Sequence, residues 1–443
     1  MSKLTRRNVF AQAWPIILGQ TLVPLAGLVD ATVIGRTGDA AMLAGVALGV
    51  TTVNLIFWTF GFLRMGVTGL TAQALGAGNG EELRALLLRA LLLGLGLGAT
   101  LLLLSPAIVP LALELMHVPA TAAEAAHSFT RARFLGAPAA LGFYVLNGWL
   151  LGLGRTRLAL VCQVAFNGIN IILDILLVGG FRLGPWGAGI GTSIAEWIAL
   201  ASGLWAARHV LGQGWWRVDR HTLFAPGAFR RLLSVNTDIM IRTVALLLLF
   251  TWFARAGARL GTVPLAANHV LMQFVSISAF VLDGFAFTAE ARVGAAIGAG
   301  SREGVLRAAR LTGEFSLAAG LLFAAAIAAS GSWLITLITR DPAVQAQAVA
   351  MLPYCALVPL LGMPSWLLDG IFIGATRGPA LRNAAVVALA LYLATDALLR
   401  GQGEAGVWTA LLASYLYRAA ALGVALPRLV RNVGSAQSFD RSG

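Results

Sequence analysis

One constant offset, the one that carries position 76 to position 298, brings this chain into register with itself. Gly76-Ala77-Gly78 returns as Gly298-Ala299-Gly300, Glu81 as Glu303, Asn147-Gly148 as Asp369-Gly370, Gly152 as Gly374, Arg155 as Arg377 and Asp174 as Asp396. An offset held over most of each half requires two halves of similar structure with few insertions between them. In a very apolar chain such duplication is the mark of secondary transporters, whose substrate path lies between the repeats.

Hydropathy decides the environment. The residues are 58% hydrophobic and 12% charged, with a mean hydropathy of +0.81, more apolar surface than a soluble globule can hide. Apolar stretches of about 20 residues, the length that spans a bilayer core, recur near 12–34, 43–68, 85–108, 133–153, 158–179, 186–209, 231–255, 264–290, 306–338, 347–374, 379–399 and 404–428. They predict an all-α integral membrane protein of twelve transmembrane helices. Six helices per half return the chain to its starting side, so both halves enter the membrane in the same sense. The repeats are therefore parallel, and two pseudo-symmetric six-helix bundles facing a central cleft follow. The expected divisions are a lobe over 1–210, a connecting loop over 211–230, a second lobe over 231–430 and a tail over 431–443.

A net charge of +13 invites a nucleic-acid reading, but the placement of the charges removes it. On the twelve-helix plan roughly 20 Lys and Arg fall on the side of the termini and about eight on the other, the bias that orients both termini to the cytoplasm. The most basic connection runs from Arg208 to Arg231 through Arg217, Arg220 and Arg230, and reads as an anchor on an anionic inner leaflet. The first apolar segment is long and lacks a clear cleavage site, so it reads as a retained helix rather than a signal peptide. Cys162 and Cys355 fall inside predicted helices and read as small buried residues, and the five histidines show no ligand spacing. No metal or organic cofactor is expected. The glycine-rich turns at Gly76–Gly80 and Gly298–Ser301 lack the strand, helix and Lys-Ser/Thr context of a phosphate-binding loop, and read as helix connections.

Ionisable groups in the bilayer are costly and mark function by default. Nine acids read as intramembrane candidates, namely Asp30, Asp174, Glu196, Asp238, Asp283, Glu290, Glu314, Asp369 and Asp396, against the four bases Arg64, Arg242, Arg292 and Arg418. On that count pairing cannot neutralise all the acids, so some are protonated, hydrated or cation-bound part of the time, as coupling to H⁺ or Na⁺ requires. Asp30 follows Pro24, which can bend its helix, and Gln20, Pro24 and Gly27 share a stripe; the alternative is an Asp that merely ends the helix. Asn170 and Asp174 share a face at i, i+4, as a coupling pair or as a polar pair between helices. Asp238 and Arg242 have the same spacing and suit an internal ion pair, structural or functional. Asp283 and Glu290 stand two turns apart on one face, where Arg292 or Arg242 neutralises one of them. Asp396 lies near the outer end of its helix beside Arg400 at i, i+4, suited to a partly solvated pair.

The stretch Asp30-Ala-Thr-Val-Ile-Gly35-Arg-Thr-Gly38, followed by Leu43-Ala-Gly-Val-Ala-Leu-Gly49, resembles the opening of multidrug and toxic compound extrusion (MATE) transporters. Gln73-Ala-Leu-Gly76-Ala-Gly78 is similar to that family's helix 2–3 turn. Leu282-Asp283-Gly284-Phe285-Ala286, with Glu290 after it, and Asn236-Thr-Asp238-Ile-Met-Ile-Arg242-Thr resemble its DinF branch. The resemblance covers about residues 8–430. It implies a proton- or sodium-coupled antiporter of the inner membrane that expels organic, often cationic or amphipathic compounds by alternating access. It also implies cation coupling at Asp30, Asn170, Asp174 and Thr192. Where some members carry an aromatic hydroxyl before the aspartate this chain has Ala26, and the NorM branch's helix 7 glutamate has no clear counterpart, although Asp369 resembles that branch's second acid. Gln20, Asn147, Asp238, Arg242, Asp283, Glu290 and Asp369 remain candidates for substrate contact or a second ion site. The expected partners are small organic molecules and membrane lipids, around a monomer. The rivals are a lipid or lipid-linked oligosaccharide flippase of the same superfamily, disfavoured by the excess of intramembrane acids, and an intramembrane enzyme, for which no motif appears.

Overall fold

Two helices at repeat-equivalent places begin on matching side-chain caps. Asn79 accepts from the Glu82 N–H at 2.9 Å, and Ser301 accepts from the Gly304 N–H at 3.0 Å. Glu81 and Glu303 follow in the first turns, where a carboxylate meets the positive end of the helix dipole. Gly78 and Gly300, the residues before these caps, take φ of 70° and 66°. That left-handed conformation favours glycine, so the two glycine-rich turns are helix connections, built twice.

The computed structural model describes residues 4–37 and 40–433. Side chains at 23–26, 28, 30, 31, 36, 37 and 40 also lie outside the description, and the expectations for Pro24, Ala26 and Asp30 fall there. The described residues form α1 (Arg6–Thr37), α2 (Ala40–Thr59), α3 (Phe62–Gly76), α4 (Gly80–Leu115), α5 (Ala120–Phe134), α6 (Ala137–Gly152) and α7 (Thr156–Asp174), which runs into a π-helical turn at Ile175–Gly180. Then come α8 (Gly184–Leu211), the single turn α9 (Arg220–Leu223), α10 (Pro226–Arg259), α11 (Thr262–Gly298), α12 (Arg302–Ile338), α13 (Pro342–Gly374), α14 (Gly378–Leu398) and α15 (Gly403–Arg431).

The offset of the sequence repeat lays α1 on α10, α2 and α3 on α11, α4 on α12, α5 and α6 on α13, α7 on α14 and α8 on α15, with closely agreeing ends. The second half is continuous in α11 and α13 where the first is broken, and α5 and α6 meet at a 54° bend. Ten helical segments among the described residues are long and apolar enough to cross a bilayer, and the bent pair makes an eleventh. Helix α1, with 32 residues and therefore about 48 Å long, carries the twelfth expected span. Leu103, Leu322, Leu398 and Val424 are each more than two-thirds exposed, a surface that suits lipid rather than water.

Packing gathers the described residues into two units. One comprises those up to Ile17, Ala72–Gly78 and those from Ser234 onward; the other comprises Leu18–Thr71 and Asn79–Leu233. Each unit contains the same helix crossing. Gly148 of α6 lies so close to the Arg64 carbonyl of α3 that a β-carbon would not fit, and Gly370 of α13 lies likewise against Ala286 of α11. The repeat carries Gly148 to Gly370 and Arg64 to Ala286, so the second contact is the first one built again. Such small-residue contacts let membrane helices approach closely. Cys162 and Cys355 are buried and unbridged. The basic connection is also tied into the helices: buried Arg89 pairs with Glu82 at 2.7 Å and donates to the Leu223 carbonyl at 2.8 Å. Thr222 donates to Glu81 at 2.8 Å, which ties α9 to the start of α4.

Candidate functional site

Asp174 closes α7 where the α-helix gives way to the π-helical turn, a distortion often found at functional positions. The side-chain amide of Asn170, one turn earlier, donates to Asp174 Oδ2 at 3.2 Å and approaches Thr192 Oγ1 of α8 at 3.1 Å. The Thr192 hydroxyl donates in turn to the Ala188 carbonyl at 3.0 Å. Asp174 is 1% exposed and Asn170 3%. Gly191 makes room on α8, since a β-carbon there would stand 3.0 Å from Asp174 Oδ1. Three of the four residues expected to couple a cation are thus brought into one cluster of oxygen and amide groups, with Asp174 and Asn170 buried and Thr192 half-buried. The fourth, Asp30, lies outside the described side chains. Gln20 and Asn147 are half-buried on α1 and α6.

The other unit builds a different polar site. Arg242 of α10 pairs with Asp369 of α13, and Arg418 of α15 approaches the same carboxylate at 3.7 Å. Arg418 also donates to Ser365 Oγ at 2.9 Å, with its guanidinium 5.9 Å from the centre of the Tyr415 ring. All three charged groups are buried, so the site depends on the pairing: a charge left alone in such surroundings costs several kcal/mol, roughly 3–5 when one partner is removed. Asp283 lies within electrostatic reach of Arg418, and Glu290 is fully buried on α11.

Three expectations are corrected. Asp238 and Arg242 pair across helices rather than along their own: Asp238 accepts from Arg382 at 2.7 Å, while Arg242 reaches Asp369. Arg292 donates to Gln12 at 2.5 Å, which removes Arg292, though not Arg242, from the two arginines expected to neutralise Asp283 or Glu290. Asp396 is 2% exposed rather than partly solvated, and accepts from Arg259 at 2.8 Å and Trp252 Nε1 at 3.0 Å. The count of nine acids against four bases fails with them. Arg133 pairs with Glu196 at 2.9 Å, Arg6 and Arg310 with Glu314 at 2.9 and 3.1 Å, Arg259 with Asp396 and Arg382 with Asp238. These bases were not counted among the intramembrane ones, but from positions near the ends of the spans long arginine stems carry their charge inward.

The sequence reading missed the Arg133–Glu196 pair and the Trp252–Asp396–Arg259 set. The repeat held a signal for the second. Trp252 and Asp396 are the repeat partners of Asp30 and Asp174, two residues already singled out together.

Residues 15–176 and 239–398 match the MatE family model. The chain is 39% identical over 420 residues to DNA damage-inducible protein F of Escherichia coli (strain K12), covering 95% of this chain and 92% of that protein. It is 26% identical over 455 residues to the probable multidrug resistance protein NorM of Acinetobacter baylyi, covering 96% of each. In structure it resembles the Vibrio cholerae MATE transporter VcmN in its bent form, with a TM-score of 0.86 at 20% identity, over 96% of this chain and 97% of that one. That likeness establishes the MATE fold, twelve transmembrane helices in two six-helix halves.

Proposed function

The chain belongs to the MATE family, whose members are membrane transporters of small organic molecules and not enzymes, and on that premise we propose that it is a multidrug-efflux antiporter of DinF type. It exports cationic or amphipathic organic compounds in exchange for H⁺ or Na⁺. The observation that carries this reading is the cluster of buried Asp174 and Asn170 with half-buried Thr192. A carboxylate, an amide and a hydroxyl are the groups that share a proton or ligate a hard monovalent cation, and an acid buried within a membrane protein is suited to such exchange. Asp30 completes the site in this proposal. Relatives named for multidrug resistance support the cargo class.

Rocking of the two six-helix lobes, 1–210 and 231–430, supplies alternating access. The charge bias supports an inner-membrane orientation with both termini in the cytoplasm. Uptake of an organic cation into inverted vesicles, driven separately by imposed H⁺ and Na⁺ gradients, tests the proposal. Uptake under one gradient is expected; none under either would overturn it.

A second reading, a flippase for a lipid or lipid-linked oligosaccharide, gains from Arg242 and Arg418 around one Asp369. Two guanidiniums favour a phosphate-bearing cargo, and the acid excess that argued against this reading has not survived. Movement of a fluorescent pyrophosphate-lipid across proteoliposomes, with no gradient-driven cation uptake, would favour it.

A further inference from the structure

Where the α11–α12 turn meets the start of α1, the first of the two units contains a cavity of about 390 Å³. Leu4, Asn8, Arg292, Ser301, Glu303 and Arg307 contribute to its wall. Each arginine spends one donor on the protein: Arg292 Nε bonds to Gln12 Oε1 at 2.5 Å, and Arg307 Nε bonds to the Leu4 carbonyl at 2.7 Å. Neither makes an ion pair among the described residues. A guanidinium carries five N–H donors, so most of the donor capacity of both remains for the cavity, as does the side-chain amide of Asn8. Arg292 precedes the end of α11 by six residues and Arg307 follows the start of α12 by five. At 1.5 Å per residue both sit about 8–9 Å from the turn, near the plane of lipid phosphates at the edge of a core ~30 Å thick.

Ser301 is occupied in capping α12, and the positive end of that 37-residue helix adds to the field of the arginines. Glu303 is exposed and lowers the positive charge of the site. At the repeat-equivalent place in the other half neither arginine has a counterpart. Positions 70 and 85 are Leu and Ala where the second half has Arg292 and Arg307. The arginines are therefore an addition to the duplicated fold rather than part of what builds it.

We infer that this cavity binds a phosphate group, either the headgroup phosphate of an anionic phospholipid or a free phosphate anion. Paired guanidiniums recognise phosphate oxygens by charge-assisted, often bidentate bonds, and basic pockets at the membrane surface select such headgroups. A bound phosphate fastens Arg292 of α11 and Arg307 of α12 beside the segment that opens α1. The inference rests on the membrane placement of the fold and not on the transport cycle, so it stands or falls apart from the proposed antiport.

The test uses the full chain in nanodiscs with Cys162→Ala, Cys355→Ala and Asn8→Cys, so that one thiol reports on the cavity through its rate of reaction with a maleimide. Phosphatidylcholine discs set the baseline. One arm adds millimolar inorganic phosphate to them, and the other replaces a third of the lipid with phosphatidylglycerol. Labelling should slow about tenfold, one decade in occupancy, in at least one arm. Slowing by the lipid alone assigns the headgroup, and slowing by inorganic phosphate assigns the free anion. Arg292→Gln and Arg307→Gln should abolish the protection. Exposed Glu303→Gln, which endangers no packing, should strengthen it and decides the matter if an arginine variant fails to fold. Unchanged labelling in both arms, protection that survives both arginine changes, or indifference to Glu303→Gln would overturn the inference.

Discussion

Gly76 and Gly298 hold each other's helices in a reciprocal crossing. A β-carbon on Gly76 would collide with the carbonyl oxygen of Ala295, and one on Gly298 would collide with that of Gln73. Ala295 follows Gln73 by the same offset that separates the two glycines, so the contact maps onto itself under a two-fold operation. The chemistry around it has diverged. Gln73 Nε2 donates to the Gly374 carbonyl and to Thr376 Oγ1, both at 3.0 Å, while Ala295 has no side chain that could repeat those bonds.

The obstructing atoms at this crossing are backbone and cannot swing aside. Gly298→Leu should therefore lower the thermal midpoint of detergent-purified protein by several degrees, as expected for overpacking that costs about 1–3 kcal/mol or more. Gly96→Ala on α4 is the control. A β-carbon there meets nothing within 4 Å, and alanine favours the helix by about 1 kcal/mol. Equal midpoints for the two variants would mean that the crossing yields.

How far the sequence could be read follows from how contacts are encoded. The duplication, the glycine-rich helix connections at Gly76–Gly80 and Gly298–Ser301 and the shared face of Asn170 and Asp174 are set by order along the chain, and each was legible. The partners of Asp238 and Asp396 were not. Arg382 lies 144 residues from Asp238 and Arg259 lies 137 from Asp396, and nothing in periodicity fixes which helices meet or how each is rotated. Spacing of i, i+4 is the only proximity a single helix reveals, and it suggested Arg242 and Arg400 instead.

The buried setting of Asp396 changes what its substitution should do. Asp396→Asn removes the charge facing Arg259 and weakens the acceptor of Trp252. Arg259 is 35% exposed, so water recovers part of its solvation, and the loss should be about 1–3 kcal/mol, below that for a fully buried pair. A lowered thermal midpoint with per-molecule transport within a few-fold of the parent is the expected result. A stable variant with abolished transport would move ion coupling into this half.

The charge bias makes a topological prediction. Cysteines replacing Arg155, Arg217, Arg307 or Arg431, in a variant lacking Cys162 and Cys355, should react with a membrane-impermeant maleimide only after the cells are opened. Cysteines replacing Arg182 or Arg340 should react from outside intact cells. Labelling at position 217 from outside would reverse the orientation.

The two halves carry equivalent acids with unequal neighbours, and this decides where coupling is sought. Asp396 is held by Arg259 and Trp252, fixed donors that keep a carboxylate occupied. Its counterpart Asp174 bonds instead to the neutral amide of Asn170, which also meets Thr192. Trp252 occupies the repeat position of Asp30, so the donor that reaches the acid in one half is replaced by a second acid in the other. Two acids in corresponding positions suit a proton or cation shared between them, because like charges brought together favour uptake of a positive ion. Asp174→Asn should therefore cut gradient-driven efflux tenfold or more, about 1.4 kcal/mol or more in the barrier, at matched expression and unchanged thermal midpoint. Asp30→Asn should do the same, and Asp30→Glu should retain part of the activity. Asn170→Ala, which leaves both acids, should shift the pH or Na⁺ dependence of transport rather than abolish it. Parental efflux by Asp174→Asn at every pH tested would remove the cluster from the mechanism, and an Asn170→Ala variant with an unmoved ion dependence would reduce the amide to packing.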